Sequence, residues 1–260
     1  YQINHAVEEI GGTLYAETRR DCSLYQIGLH PETLEPGLQL LGEILREPTF
    51  SALSTERRII LEEMQEDLDQ RGEDVNLSDL VYQLLFPGQA LGQKITGPMA
   101  NVERFDVGDV RRHLTTHYGA RNLILCVAGA VQRSEVLPGA QRALRAQPAG
   151  QAHALAEPTI LCDGPKRVHR DGDTGTQTNL MVAFLTAGER DLDFPALLVL
   201  SRILDDGMST RLYQKVVNEL GLAYYVSAGL DSFVDVGIFD VEATAVHASV
   251  PQLLKIILGL

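Results

Sequence analysis

Positive charge, cysteine and long hydrophobic runs are all scarce in this sequence, and each scarcity removes a class of protein. There are 22 Lys and Arg against 35 Asp and Glu, a formal charge of −13. A protein that holds a nucleic-acid backbone needs a cationic face, so nucleic acid is excluded as the main partner. The 3 cysteines (Cys22, Cys126, Cys162) are odd in number and far apart. They form neither a disulfide framework nor a CxxC metal knuckle. The longest apolar stretch, residues 123–131, is far too short to cross a bilayer, so no membrane span is expected. A GxxxxGK[ST] phosphate loop is missing, as is the GxSxG elbow of a serine hydrolase. Neither a Met nor a signal peptide opens the chain, which starts at Tyr1 in what reads as helix.

What remains is a 260-residue chain, 45% apolar and 22% charged, which is ordinary for a folded globular protein and excludes wholesale disorder. The length allows one large domain or two ordinary ones. Ile3, Val7 and Ile10 recur at helical spacing and stop at Gly11-Gly12. Residues 14–29 read as two strands around a turn at 19–21. Leu34, Leu38, Leu41 and Leu45 form one stripe of a helix, and further helices are expected at 54–69 and 75–85. Asp106 can cap a helix over 107–118, and 122–131 reads as a buried strand with Cys126 as a small core residue.

Residues 146–165 are rich in Ala, Gln, Pro and Gly without periodicity, which reads as a linker. Beyond it the pattern predicts a strand (176–186), helices (195–204 and 209–220), strands (223–230 and 236–243) and a helix from Pro251. The second half echoes the first. Residues 1–16 lie without gaps over 211–226, pairing Val7 with Val217, Glu9 with Glu219, Gly11 with Gly221 and Tyr15 with Tyr225. The shared order of elements implies a duplicated α+β domain whose second copy is incomplete at Leu260.

Two constellations could carry chemistry. Glu56 and Glu63 are two turns apart on one helix and share a face beside the stripe Leu61, Met64 and Leu68. They form either a solvated acidic face or a metal-binding carboxylate with a supporting partner. His113 and His117 are four apart on another helix, a spacing that suits a metal. The adjacent Arg111 and Arg112 disfavour a dication, so these read as surface or helix-terminal histidines. His5, His30, His153, His169 and His247 are isolated and take no role.

The E-x6-E run Glu56-Arg57-Arg58-Ile59-Ile60-Leu61-Glu62-Glu63 resembles the zinc-site helix of the pitrilysin/insulinase metallopeptidases, which include the mitochondrial processing peptidase. The resemblance covers nearly the whole chain. Residues 10–18 (IGGTLYAET) look like the family's edge strand, and 91–131 follow its LG, GP, helix, Tyr, Asn and apolar-strand pattern. Residues 206–227 are similar to its second-domain signature. The resemblance implies an α+β fold of two homologous domains, each a mostly antiparallel sheet packed with helices. Residues 1–148 would be the rest of the first, 149–165 a linker and 166–260 the start of the second.

It further implies a zinc endopeptidase acting on extended peptides inside a clam-like chamber. Zn2+ would be held by Glu63 and by two histidines of an HxxEH helix, with Glu56 supporting the site and the HxxEH glutamate as general base. No HxxEH occurs in the chain. Family spacing places its second His about a dozen residues before Tyr1, so the chain is expected to be a piece that is inactive alone. Peptide would add to the edge strand at Leu14, Tyr15, Ala16 and Glu17, Tyr15 standing where the family often has Asn. Of the family's substrate-binding Arg/Tyr pair, Tyr224 is present, but Val217 occupies the Arg position. A homologous partner subunit supplying that pair is therefore expected, as in the family's heterodimers. Acidic charge lining the chamber would favour basic peptides. The alternative is a non-catalytic homologue serving as a structural or substrate-binding subunit. The compartment is open, a bacterial cytoplasm or periplasm being favoured over the mitochondrial matrix.

Overall fold

A computed structural model of the chain describes residues 2–153, 158, 160, 164–171 and 175–260. Tyr1, Cys162 and much of the expected linker lie outside the described residues. In chain order the first elements are α1 (Gln2–Glu9), β1 (Thr13–Thr18), β2 (Ser23–Gly28), α2 (Leu34–Arg46), α3 (Leu53–Glu66) and α4 (Leu77–Leu85). Then come α5 (Met99–Arg104), α6 (Val107–His117), α7 (Arg133–Ala143), β3 (Gln177–Ala187) and α8 (Phe194–Leu204). A short helix α9 (Arg211–Tyr213) continues as a π-helix (Gln214–Glu219), followed by β4 (Tyr225–Ser232), β5 (Val236–Val246) and α10 (Val250–Ile257). The architecture is α+β with antiparallel sheets throughout, as expected.

Two compact units can be distinguished. The first comprises Tyr1–Glu62 and Ile95–Leu155. In it β1 and β2 form a two-stranded antiparallel ribbon, Thr13 opposite Gly28 and Thr18 opposite Ser23. α2 packs on α7, and Gly42 makes that crossing possible: a Cβ there would lie 2.5 Å from the carbonyl oxygen of Ala143. α6 starts with a reciprocal capping box, Asp106 and Asp109 each accepting the other's backbone N–H.

The expected buried strand at 122–131 does not form. Among the described residues no strand pairs with it, and a strand without a neighbour has no ladder to satisfy its backbone. The segment runs extended, with Ile124 91% exposed and Cys126 exposed rather than in the core. Its alternate residues Leu125 and Val127 line an open groove of about 730 Å³ against Val136, Leu137 and Ala140 of α7.

The second unit comprises Glu63–Lys94 and Ala156–Leu260. Its three-stranded sheet has the order β3-β5-β4, and central β5 is covered on both faces. On one face Phe239, Val241, Ala243 and Ala245 meet Leu212 and Val216 of the α9/π-helix and Leu253 and Ile257 of α10. On the other, Val236 and Ile238 meet Tyr82 and Phe86 at the end of α4. Burial on both sides holds for Val236–Phe239, the apolar start of β5, and beyond it the strand alternates, with Asp240, Glu242 and Thr244 less buried than their neighbours.

The glycine stops aligned in the sequence share one backbone state. Gly11 (φ 69°) and Gly221 (φ 56°) are both left-handed, where a Cβ is strained. Past α1, Gly11 N–H donates to the Glu8 carbonyl and Gly12 N–H to that of Val7, the two bonds of a Schellman ending. Past the π-helix the reach is one residue longer, Gly221 N–H to the Val217 carbonyl and Leu222 N–H to that of Val216. The wider π turn accounts for that residue.

Candidate functional site

α3 carries the paired glutamates. Glu56 lies in its first turn, where a negative charge complements the positive end of the helix. The neighbouring Arg57 donates to the Phe105 carbonyl, tying the start of α3 to the loop before α6. Met64 is buried, while Glu56 and Glu63 are exposed. Neither carboxylate forms an ion pair or hydrogen bond with a described residue. Seven residues of helix separate them by about 10 Å along the axis and bring them almost into line.

The chain just after Glu63 is locked by charge. Lys94 Nζ lies 3.3 Å from Asp67, 3.0 Å from Asp74 and 3.6 Å from Asp79, all largely enclosed. Asn76 donates to Asp67 and accepts the Asp79 N–H as the cap of α4, and Asp69 accepts the N–H groups of Arg71 and Glu73. Burial pulls the Lys94 ammonium down, but hydrogen bonding and charge from Asp74 and Asp67 outweigh it and leave its pKa raised. The end of α3 and the start of α4 are thus clamped through one cation.

β1 has β2 as its only described neighbour, so its other edge presents unpaired N–H and C=O groups. Tyr15 is 54% exposed, and its hydroxyl donates to Glu17 at 3.2 Å, as does Arg19 at 3.1 Å. Tyr224 is 86% exposed, its backbone N–H bonded to the Thr244 carbonyl. Val217 packs against the apolar core beside Val216.

Two groupings went unread in the sequence. The first joins strands far apart in the chain. The Tyr82 hydroxyl donates to Asp231 at 2.6 Å, and Asp240 lies across β4 over Gly229, where a Cβ would meet its carboxylate at 2.7 Å. Burial, then the charges of Asp231 and Glu242, push the Asp240 carboxyl up to about 6. The second joins three histidines. The rings of His113 and His117 are 4.5 Å apart and those of His117 and His153 4.4 Å apart, the latter pair stacked. Only the helical spacing of the first two could have hinted at it. Their rings lie over one another instead of converging: among the described residues no three His, Cys, Asp or Glu are placed to hold a metal ion.

Comparison with known proteins gives concordant matches. Residues 1–99 match the family profile "Insulinase (Peptidase family M16)", and 104–259 match "Peptidase M16 inactive domain". An uncharacterized zinc protease of Rickettsia felis is 27% identical over 263 residues, covering 98% of this chain and 61% of that protein. A probable mitochondrial-processing peptidase subunit beta of Arabidopsis thaliana is 29% identical over 258 residues, covering 94% and 48%. Among solved structures, the peptidase M16 inactive domain from Pseudomonas fluorescens superposes with a TM-score of 0.84 at 22% identity, covering 99% of this chain and 64% of that one. The chain thus spans about half to two thirds of the length of these relatives.

Proposed function

The chain belongs to the pitrilysin/insulinase family of peptidases, M16, and from that premise we propose that its parent protein is a zinc-dependent metalloendopeptidase acting on extended peptides. One observation carries the reading: Glu63 ends an E-x6-E run within the matched region and is exposed on α3 with no cation paired to it among the described residues. A carboxylate oxygen is an accepted zinc donor, so Glu63 fits as one ligand, and the remaining donors are not among the described residues. Zinc, when bound, supplies Lewis acidity toward a peptide carbonyl and an acidified water. Glu56, one face along, supports that end of the site electrostatically. The open edge of β1 at Leu14, Tyr15, Ala16 and Glu17 receives peptide backbone as an added strand, which suits many sequences because only main-chain groups are read.

In this proposal residues 1–148 and 166–260 descend from one duplicated domain, joined by 149–165. That division describes ancestry, whereas the compact units describe packing. Tyr224 contacts substrate, and a homologous partner subunit provides the arginine that Val217 replaces. The acidic balance favours basic peptides within a closed chamber. No helix among the described residues is long and apolar enough to cross a membrane. A bacterial cytoplasm or periplasm is the proposed setting.

A second reading has specific support: Val217 in place of the arginine, and a profile described as the inactive domain over 104–259. It makes the parent a non-catalytic structural or substrate-binding subunit. The Glu63→Gln variant of the full-length protein separates the two. Its bound zinc and its cleavage of an unfolded peptide should both drop at least tenfold. Zinc retained at the wild-type level would sink the role of Glu63. A full-length wild-type protein that neither holds zinc nor cleaves, alone or with its partner, supports the subunit reading. Full activity of the lone protein would refute the need for a partner.

A further inference from the structure

Residues 147–153 are laced along 118–122 by a ladder that belongs to no sheet. Ala120 N–H donates to the Pro148 carbonyl at 2.7 Å and Arg121 N–H to that of Ala149 at 3.0 Å. The Asn122 amide donates to the Gln151 and His117 carbonyls and accepts the His153 N–H at 3.0 Å. The Gln147 side chain donates to the Tyr118 carbonyl. Gly119 and Gly150 let the backbones meet, since a Cβ on Gly119 would lie 2.5 Å from the Cα of Gly150. At the far end His153 stacks on His117 and its Nε2 lies 3.1 Å from the Thr116 carbonyl. The segment immediately precedes the connection to the second compact unit.

The surroundings of the three rings are short of negative charge. On α6, Arg112 pairs with Asp109 at 2.9 Å and Arg111 lies over the Phe50 ring. Tyr118 packs edge-on to His113 and shares a hydrogen bond with Tyr25 of β2. Arg121 follows on the next turn, and 147–152 carry no ionisable side chain. No described carboxylate pairs with any of the three imidazoles.

We propose that the His113–His117–His153 stack is a pH-operated clasp, closed over residues 147–153 when at most one ring is protonated and opened by a second proton. His117 stands in the last turn of α6, whose negative end offsets one positive charge on the stack. A second charge would sit about 4.4 Å from it with no anion to offset it. His113 already shows the resistance: burial, then His117, holds its pKa below the ordinary histidine value. The sign follows from linkage. With the rings apart, the mutual repulsion is gone, so the open form binds more protons than the stack as pH falls through the ordinary histidine range. The clasp is therefore at full strength above about pH 6.5 and weakens as pH falls.

Hydrogen exchange on the whole chain tests this, using the amides of Ala120, Arg121 and His153 as reporters. After correction for intrinsic rates, their protection should fall about five- to tenfold between pH 7.5 and 5.0, while the amides at the centre of α2 stay unchanged. In His117→Phe, which keeps a flat ring but takes no proton, the fall should vanish. Equal protection at both pH values in the wild type would overturn the clasp, and so would an undiminished fall in His117→Phe. Should that variant fail to fold, NMR titration of the wild-type imidazoles decides. Coupled curves with one midpoint about a unit or more below 6.5 support the clasp. Three independent curves near 6.5 refute it.

Discussion

Replacing Asp240 by Asn should make this protein more stable at neutral pH, although it alters a half-buried residue of the central strand. Asp240 shares a sheet face with Asp231 and Glu242, and Asp231 is the carboxylate that accepts the Tyr82 hydroxyl. Burial, then the charges of Asp231 and Glu242, raise the Asp240 carboxyl to about 6. Unfolded, it would titrate near 3.9, so ionising it in the folded state costs at most about 3 kcal/mol at pH 7. Asp240 is incompletely enclosed, and solvent screening reduces this to about 1–2 kcal/mol. The direction is that of a raised acid. The destabilisation is complete above pH 6 and is relieved as pH falls toward 3.9. Asn has the same shape, no charge, and an amide that can donate to Asp231 or Glu242.

Urea unfolding of wild type and Asp240→Asn at pH 7 and pH 5 measures the effect. The variant should gain about 1–2 kcal/mol at pH 7 and about half of that at pH 5, or roughly 2–8 °C in Tm at pH 7. A variant that is less stable at pH 7, or whose advantage does not change with pH, would refute the charge-repulsion account.

Two further perturbations probe the same unit. Lys94→Met leaves Asp67, Asp74 and Asp79 facing one another without their cation and should cost about 2 kcal/mol in chemical denaturation. Because the Lys94 pKa is raised, the deficit should be constant from pH 6 to 9 and shrink only as pH climbs past about 10. Tyr82→Phe removes the 2.6 Å bond to Asp231 while keeping the packing with Phe86 and Phe233. A loss of about 1.5–2 kcal/mol is expected, read as a shift in urea midpoint at unchanged slope.

The sequence was most legible where periodicity and punctuation agree. The leucine stripe of α2, the Asp106 cap of α6 and the glycine stops after α1 and the π-helix are local features that tertiary packing did not override. The apolar run 122–131 reads as a buried strand because composition records hydrophobicity, while burial depends on a neighbour that composition does not specify. α7 was passed over because Pro138 and Gly139 stand inside it and its apolar positions are few. The π-helix is invisible to a 3.6-residue template. Of the candidate site, the glutamate pair was readable from its spacing alone. His153, in contrast, lies 36 positions beyond His117 and next to it only in space, and Asp240 meets Asp231 only across a strand pair.

The extended segment 122–131 has a practical side. Leu-Ile-Leu-Cys-Val-Ala-Gly-Ala-Val is uncharged and free of proline, and among the described residues no strand pairs with its backbone. Arg121 and Arg133 flank it as the only nearby gatekeepers. An unpaired apolar segment of this kind is an aggregation hazard, and the exposed Cys126 at its middle adds a thiol open to oxidation.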